Sequence, residues 1–200
     1  MIRGNKGMYK GIRIGILGGS FNPIHIGHLI LAEKAKERFK LDKVIFVPAY
    51  ISPHKIGHNL ADANDRFNMV LMAIKGNPDF EISDFEIKAK GKSYSIRTLK
   101  EFRKKFDRGA QLYFITGADS LKKLLTWKNI DEIFRISRFV IANRPSYLLK
   151  NVPSKAETFE INPIDVSSTE IRKRIRKGLS IRYIVPESAR KYILKKRLYR

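Results

Sequence analysis

The sequence predicts an α/β fold, a mostly parallel open sheet covered by helices on both faces. Two observations carry that expectation. Short apolar runs rich in Ile, Val and Phe recur along the chain, as strands buried on both sides require. Between successive runs lie segments whose apolar residues repeat with helical spacing, and strand-helix alternation is what winds a parallel sheet. At 200 residues, 43% of them hydrophobic, the chain can bury one sizeable core.

Residues 1–11 are polar, glycine-bearing and basic and are expected to form a flexible extension, leaving 12–200 as a single domain. The run IRIGIL from Ile12 reads as a buried strand that stops at Gly18, Gly19 and Ser20, and helical spacing takes over near His28. Val44 to Tyr50 is a second strand, followed by a polar loop through Ser52 to His58 and a helix from Ala63 to Lys75. Phe80 to Ile87 reads as a short edge strand and Ser93 to Phe106 as a helix. Gln111 to Gly117 is a third core strand, Leu121 to Leu125 and Asp131 to Phe134 are short helices, and a fourth strand starts at Arg138. A further strand is expected at Thr158 to Ile161, with helices from near Thr169 and Glu187 closing the chain.

Composition excludes several chemistries. Without cysteine there is no disulfide framework, no thiolate metal site and no cysteine nucleophile. No apolar run approaches the roughly 20 residues of a membrane span, and MIRGNKGMYKG lacks a signal peptide's apolar stretch, so a cytoplasmic protein with no membrane association is expected. The formal charge of +22 points to anionic partners. Its excess is greatest from Arg172 to Arg200, which is either a solvated helix face or a nucleic-acid patch; no recognised nucleic-acid module accompanies it, so nucleic acid is not the expected partner.

The strongest constellation runs from Gly18 through Gly19, Ser20, Phe21, Asn22, Pro23, Ile24, His25, Ile26 and Gly27 to His28, between the first strand and the first helix. Ligands of parallel sheets gather beyond the carboxyl ends of strands, where a helix start offers free N–H groups and a partial positive charge. Gly18 and Gly19 let backbone approach phosphate, Gly27 brings the helix start close, and His25 and His28 are spaced to share one side of a turn. The run is neither a Walker A loop nor a dinucleotide GxGxxG. It resembles the signature of the HxGH nucleotidyltransferases, a likeness that implies a Rossmann-like sheet, ATP as co-substrate and Mg2+ with it.

Ser167, Ser168, Thr169, Glu170, Ile171 and Arg172 precede another helical segment, with Ser167 and Glu170 at capping-box spacing. Capping does not require Ser168 and Thr169 beside Arg172, which together offer hydroxyls, amides and a guanidinium to an anion. The run is similar to the SSTxIR element of the same superfamily, implying contact with ATP phosphates.

Pro53-His54-Lys55, Ser93-Tyr94-Ser95, Gly117-Ala118-Asp119-Ser120 with Trp127-Lys128, and Asn143-Arg144-Pro145 resemble the nicotinate-nucleotide adenylyltransferases. Ser95 departs from that pattern, where threonine is common, although a hydroxyl survives. The resemblance implies nicotinate mononucleotide as second substrate, the amide mononucleotide or phosphopantetheine being the alternatives. It implies substrate contacts from Lys55, Tyr94, Ser95, Gly117, Asp119, Trp127 and Arg144. Each has a plainer reading. Trp127 either stacks on a pyridine ring or is core; Asp119 either accepts ribose hydroxyls or caps a helix. Lys55 either meets phosphate or is solvated, Arg144 meets phosphate or an internal carboxylate, and Tyr94 and Ser95 line a pocket or cap a helix. No dedicated carboxylate cluster is evident, so magnesium is expected to arrive with ATP rather than in a protein cage.

Overall fold

A computed structural model of the chain describes residues 11–53, 60–106, 109–143, 152–162 and 164–200. Six strands, β1 (Arg13–Gly19), β2 (Lys43–Pro48), β3 (Phe80–Ile82), β4 (Gln111–Gly117), β5 (Arg138–Asn143) and β6 (Ala156–Glu160), form one sheet in the order β3-β2-β1-β4-β5-β6. Every pairing among them is parallel, so the expected mostly parallel sheet is parallel throughout the described residues.

Parallel strands need crossovers: α1 (Ile26–Phe39) lies between β1 and β2, α2 (Ala63–Ile74) between β2 and β3, α3 (Phe85–Ala89) and α4 (Ser95–Lys105) between β3 and β4, and α5 (Leu121–Leu124) and α6 (Ile130–Ile136) between β4 and β5, while α7 (Ser168–Arg176) and α8 (Glu187–Lys195) follow β6. Strand alternation splits the core into two faces. Leu17, Phe46, Tyr113 and Ile115 meet α1, α2, α7 and α8 through Ala32, Ala35, Met69, Val70, Ile171 and Ile193. Ile14, Ile16, Leu112 and Phe114 point oppositely and meet α4 and α6 through Ile96, Leu99, Phe102 and Ile133. Gly15 lies on the first face, where a Cβ would come within 2.7 Å of Leu41 and 2.8 Å of Ile115.

The expected edge strand from Phe80 to Ile87 is a correction. Pairing with β2 ends at Ile82; Ser83 N–H then bonds Phe46 O, and Ser83 Oγ accepts from Phe85 N–H, turning the chain into α3. Short polar side chains that bond local backbone end strands in this way. The turn carries Glu86 inward instead of along a sheet edge.

Chain order reverses between β1 and β4, the position at which an open α/β sheet leaves a crevice beyond its carboxyl ends. Gly19 and Gly117 end those two strands. No helix among the described residues is long and apolar enough to cross a membrane.

Candidate functional site

The loop from Ser20 to His25 leaves β1 through a shape its residues dictate. Phe21 adopts φ 44°, and its ring turns back under Gly19, where a Cβ would lie 3.0 Å from it. The ring also stands edge-on to His28 at 5.0 Å between centroids and packs against Phe46. Phe21, Asn22 and Pro23 are buried, and the Asn22–Pro23 peptide is cis. Asn22 Oδ1 accepts from Ala61 N–H at 3.1 Å, which braces the loop from within.

His25 occupies the N-cap of α1, which begins at Ile26, two residues before the expected start. The His25 and His28 rings stack at 3.7 Å between centroids, and His28 Nδ1 accepts the His25 backbone N–H at 3.2 Å. A ring nitrogen that accepts carries no proton, so neutral His28 holds its proton on Nε2. Gly27 makes room for this: a Cβ there would come within 3.1 Å of His25 Nδ1.

The start of α7 docks on the same loop. Ser168 donates its hydroxyl to Pro23 O at 2.9 Å, and Arg172 Nη1 donates to Asn22 O at 2.8 Å. Arg172 Nη2 reaches Thr169 Oγ1 at 3.3 Å, and Ser167 caps the helix by accepting from Glu170 N–H at 3.2 Å. Buried Arg172 Nε has no partner among the described residues. Burial lowers the Arg172 pKa from its ordinary value, against a raising influence from the Tyr199 phenol. Tyr199 lies within electrostatic reach of Arg66 as well, and burial pushes its own pKa up. The histidines and Arg172, some 145 positions apart in sequence, thus share one loop.

Beside the loop, a cleft of about 380 Å³ opens between the ends of β1, β2 and β4. Gly18, Gly19 and Ser20 form one wall, and Tyr94, Ser95, Asp119, Trp127 and Lys128 the other. Trp127 is half-buried: it stands edge-on to Phe114 at 5.8 Å and Phe139 at 5.9 Å and also lines the cleft. Tyr94 is the N-cap residue of α4 but makes no side-chain capping bond; Lys128 Nζ sits 5.0 Å over its ring. Asp119, exposed on the rim, comes so near Gly117 that a Cβ there would be 2.8 Å from Oδ1. Lys55 and Arg144 lie outside the described residues.

Sequence reasoning missed two buried ionisable groups here. Glu86 lines the cleft at 9% exposure and accepts from Thr98 Oγ1; burial raises its pKa, while hydrogen bonds from Thr98 and Ser93 and the nearby Arg97 pull it back. Arg66, fully buried on α2, donates to Ala61 O, Ser20 O, Ala49 O and Tyr50 O at 3.0, 2.7, 2.6 and 2.8 Å. A signal for Arg66 was present: it falls in phase with Ala63, Met69, Val70 and Ile74 on the buried stripe of α2. Glu86 gave none, because its segment alternates like a strand.

No group of three or more His, Asp or Glu suited to a metal ion occurs among the described residues. The basic tail is partly absorbed: Arg190 pairs with Glu187 at 2.7 Å, and Arg174 Nε donates to Ser180 O at 2.9 Å.

Residues 16–174 match the family described as Cytidylyltransferase-like. The chain is 42% identical to a protein of Desulfitobacterium hafniense named "Probable nicotinate-nucleotide adenylyltransferase", over 94% of this chain and 96% of that one. A protein of the same name from a Thermoanaerobacter species is also 42% identical, over 96% and 97%. Among solved structures, Plasmodium falciparum nicotinic acid mononucleotide adenylyltransferase complexed with NaAD superposes with a TM-score of 0.73 at 22% identity, over 94% of this chain and 97% of that one.

Proposed function

The chain belongs to the cytidylyltransferase-like family, among its nicotinate-nucleotide adenylyltransferases, and from that premise we propose that it joins ATP and nicotinate mononucleotide into nicotinate adenine dinucleotide, releasing pyrophosphate. One observation supports this reading above the others: the start of α7 is hydrogen-bonded to the loop that runs directly into the start of α1, beside a cleft large enough for a mononucleotide.

A 5′-phosphate oxygen of the mononucleotide attacks the α-phosphorus of ATP. The new P–O bond forms as the bond from that phosphorus to the oxygen bridging toward the β-phosphorus breaks, and the leaving pyrophosphate takes both electrons. No protein nucleophile is required, because the attacking monoester is already anionic near neutral pH. The barrier lies in aligning two anions and neutralising charge as it moves to the leaving group.

His28 Nε2–H, at the positive end of α1, meets the α- and β-phosphates, with His25 stacked behind. Arg172, Ser168 and Thr169 hold the departing pyrophosphate from the α7 side. Gly18, Gly19 and Ser20 let backbone come close, and Phe21, Asn22, Pro23 and Gly27 fix the path of that backbone. Across the cleft, Trp127 and Tyr94 take the pyridine ring, Asp119 and the bend at Gly117 the ribose, and Ser95 with the opening of α4 the ring carboxylate; Lys55 and Arg144 are assigned to the mononucleotide phosphate. The donors around the loop are imidazoles, amides, hydroxyls and a guanidinium, a set suited to phosphate oxygens rather than to a hard cation. Magnesium arriving with ATP would be held chiefly by the phosphates and would offset their charge.

Incubating purified protein with Mg-ATP and, separately, nicotinate mononucleotide, nicotinamide mononucleotide or phosphopantetheine tests the reading. Pyrophosphate and dinucleotide form fastest with the acid mononucleotide. Turnover with phosphopantetheine alone, or with none of the three, contradicts it.

A further inference from the structure

Arg66 is the largest of the fully buried side chains, and its charge has no carboxylate salt bridge among the described residues. An apolar side chain of similar volume would fill the space without desolvating a cation, so packing gives little reason for a guanidinium there. Its contacts give a better one. Nη1 gathers Ser20 O, where β1 opens into the phosphate loop, together with Ala49 O beyond β2; Nη2 takes Tyr50 O and Nε takes Ala61 O ahead of α2. A planar fork with donors in fixed directions sets the spacing of those carbonyls, which a lysine ammonium cannot do.

The chain of bonds continues into the far wall. In a trans peptide the N–H points away from its carbonyl. With Ala49 O drawn onto Arg66, the N–H of the same peptide, that of Tyr50, donates to Ser93 Oγ at 2.9 Å. Ser93 N–H returns a bond to Ile51 O at 2.9 Å, and Ser93 leads directly into Tyr94 and Ser95. One guanidinium therefore touches the loop that faces ATP and, through one peptide and one hydroxyl, the wall that faces the acceptor.

We propose that Arg66 is a positioning residue that sets the phosphate loop and the Ser93–Ser95 wall in register, so that the two bound substrates meet in reacting alignment. This rests on the adenylyl-transfer reading. Arg66 contacts neither substrate; its contribution is geometric, and misplacement on the order of 1 Å between reacting groups costs about 100-fold in rate.

Arg66→Lys and Arg66→Met are to be assayed beside wild type for kcat, for both KM values, and for calorimetric binding of α,β-methylene ATP and of nicotinate mononucleotide separately. Ser93→Ala, which cuts the link to the wall while leaving Arg66 in place, covers the case in which the Arg66 variants fail to fold. The expected signature is a kcat reduced about 30- to 100-fold in Arg66→Lys, with each substrate alone binding within about threefold of wild type. Ser93→Ala shows the same split with a smaller loss. A merely structural role would lower melting temperature and active fraction while leaving kcat per folded molecule unchanged. That result, or a kcat loss matched by equal losses in single-substrate binding, or a wild-type kcat in Ser93→Ala, overturns the proposal. If wild type itself forms no dinucleotide, the functional reading fails and this proposal falls with it; an active wild type with unaffected variants removes this proposal alone.

Discussion

His28 accepts the backbone N–H of His25 through Nδ1 at 3.2 Å while the two rings stack at 3.7 Å. The second imidazole of the signature is thus oriented by the first, and its proton is kept on Nε2. His28→Ala removes that donor and the stack together. Its kcat should fall by about 100-fold or more, the scale of losing one preorganised donor to a transition-state charge, with a folded circular dichroism spectrum. A kcat within threefold of wild type would refute the role.

Arg172 ties α7 to Asn22 O and Thr169 Oγ1. A lysine keeps the charge but cannot hold both oxygens and also face a pyrophosphate. Arg172→Lys should lower kcat/KM for ATP by roughly 10- to 100-fold and leave the KM for the mononucleotide nearly unchanged. Steady-state kinetics with each substrate varied in turn decides this.

These two sites show how much could be read in advance. The β1 and β4 runs, the glycine turn and the SST element have periods or spacings that belong to one kind of structure, and they folded as their patterns required. Phe80 to Ile87 did not: its apolar alternation slips by one residue at Ser83 and Asp84, from Phe80 and Ile82 to Phe85 and Ile87, and the turn chemistry of Ser83 ends the strand there. Glu86 disappeared with that misreading. Arg66 was hidden differently: its role depends on carbonyls from Ser20, Ala49, Tyr50 and Ala61, which only the folded chain brings together. The packing of Tyr199 near Arg172 is likewise a long-range fact with no local pattern behind it.

Burial holds the Glu86 carboxyl above its ordinary range. Between the unfolded value, about 4.3, and the higher folded one, the native state binds more protons than the unfolded state, so this group's contribution makes stability fall as pH rises through that window. Glu86→Gln keeps an acceptor for Thr98 and removes the titration. The difference in melting temperature, variant minus wild type, should therefore increase with pH above about 4.3. A difference that is flat or decreasing contradicts the assignment.

Tyr199 buries a hydroxyl with no partner among the described residues. Tyr199→Phe removes an unpaired polar group while keeping the ring, so chemical denaturation should find the variant between equal to wild type and about 1 kcal/mol more stable. A loss of about 1 kcal/mol or more would mean that the hydroxyl is bonded.

Lys128 Nζ lies 5.0 Å over the Tyr94 ring, and both residues line the cleft. Because the side chain is exposed, its effect is screened; Lys128→Met should raise the KM for nicotinate mononucleotide by roughly 3- to 10-fold and leave that for the amide unchanged. Equal changes for both would remove Lys128 from acid recognition.

The most direct measurement is a crystal structure of the chain with α,β-methylene ATP and nicotinate mononucleotide bound together. The account predicts the triphosphate between His28 Nε2 and Arg172 on the Ser20–His25 loop, with the mononucleotide phosphate aimed at the α-phosphorus from the Trp127 side. A triphosphate elsewhere on the molecule, touching neither His28 nor Arg172, would contradict it.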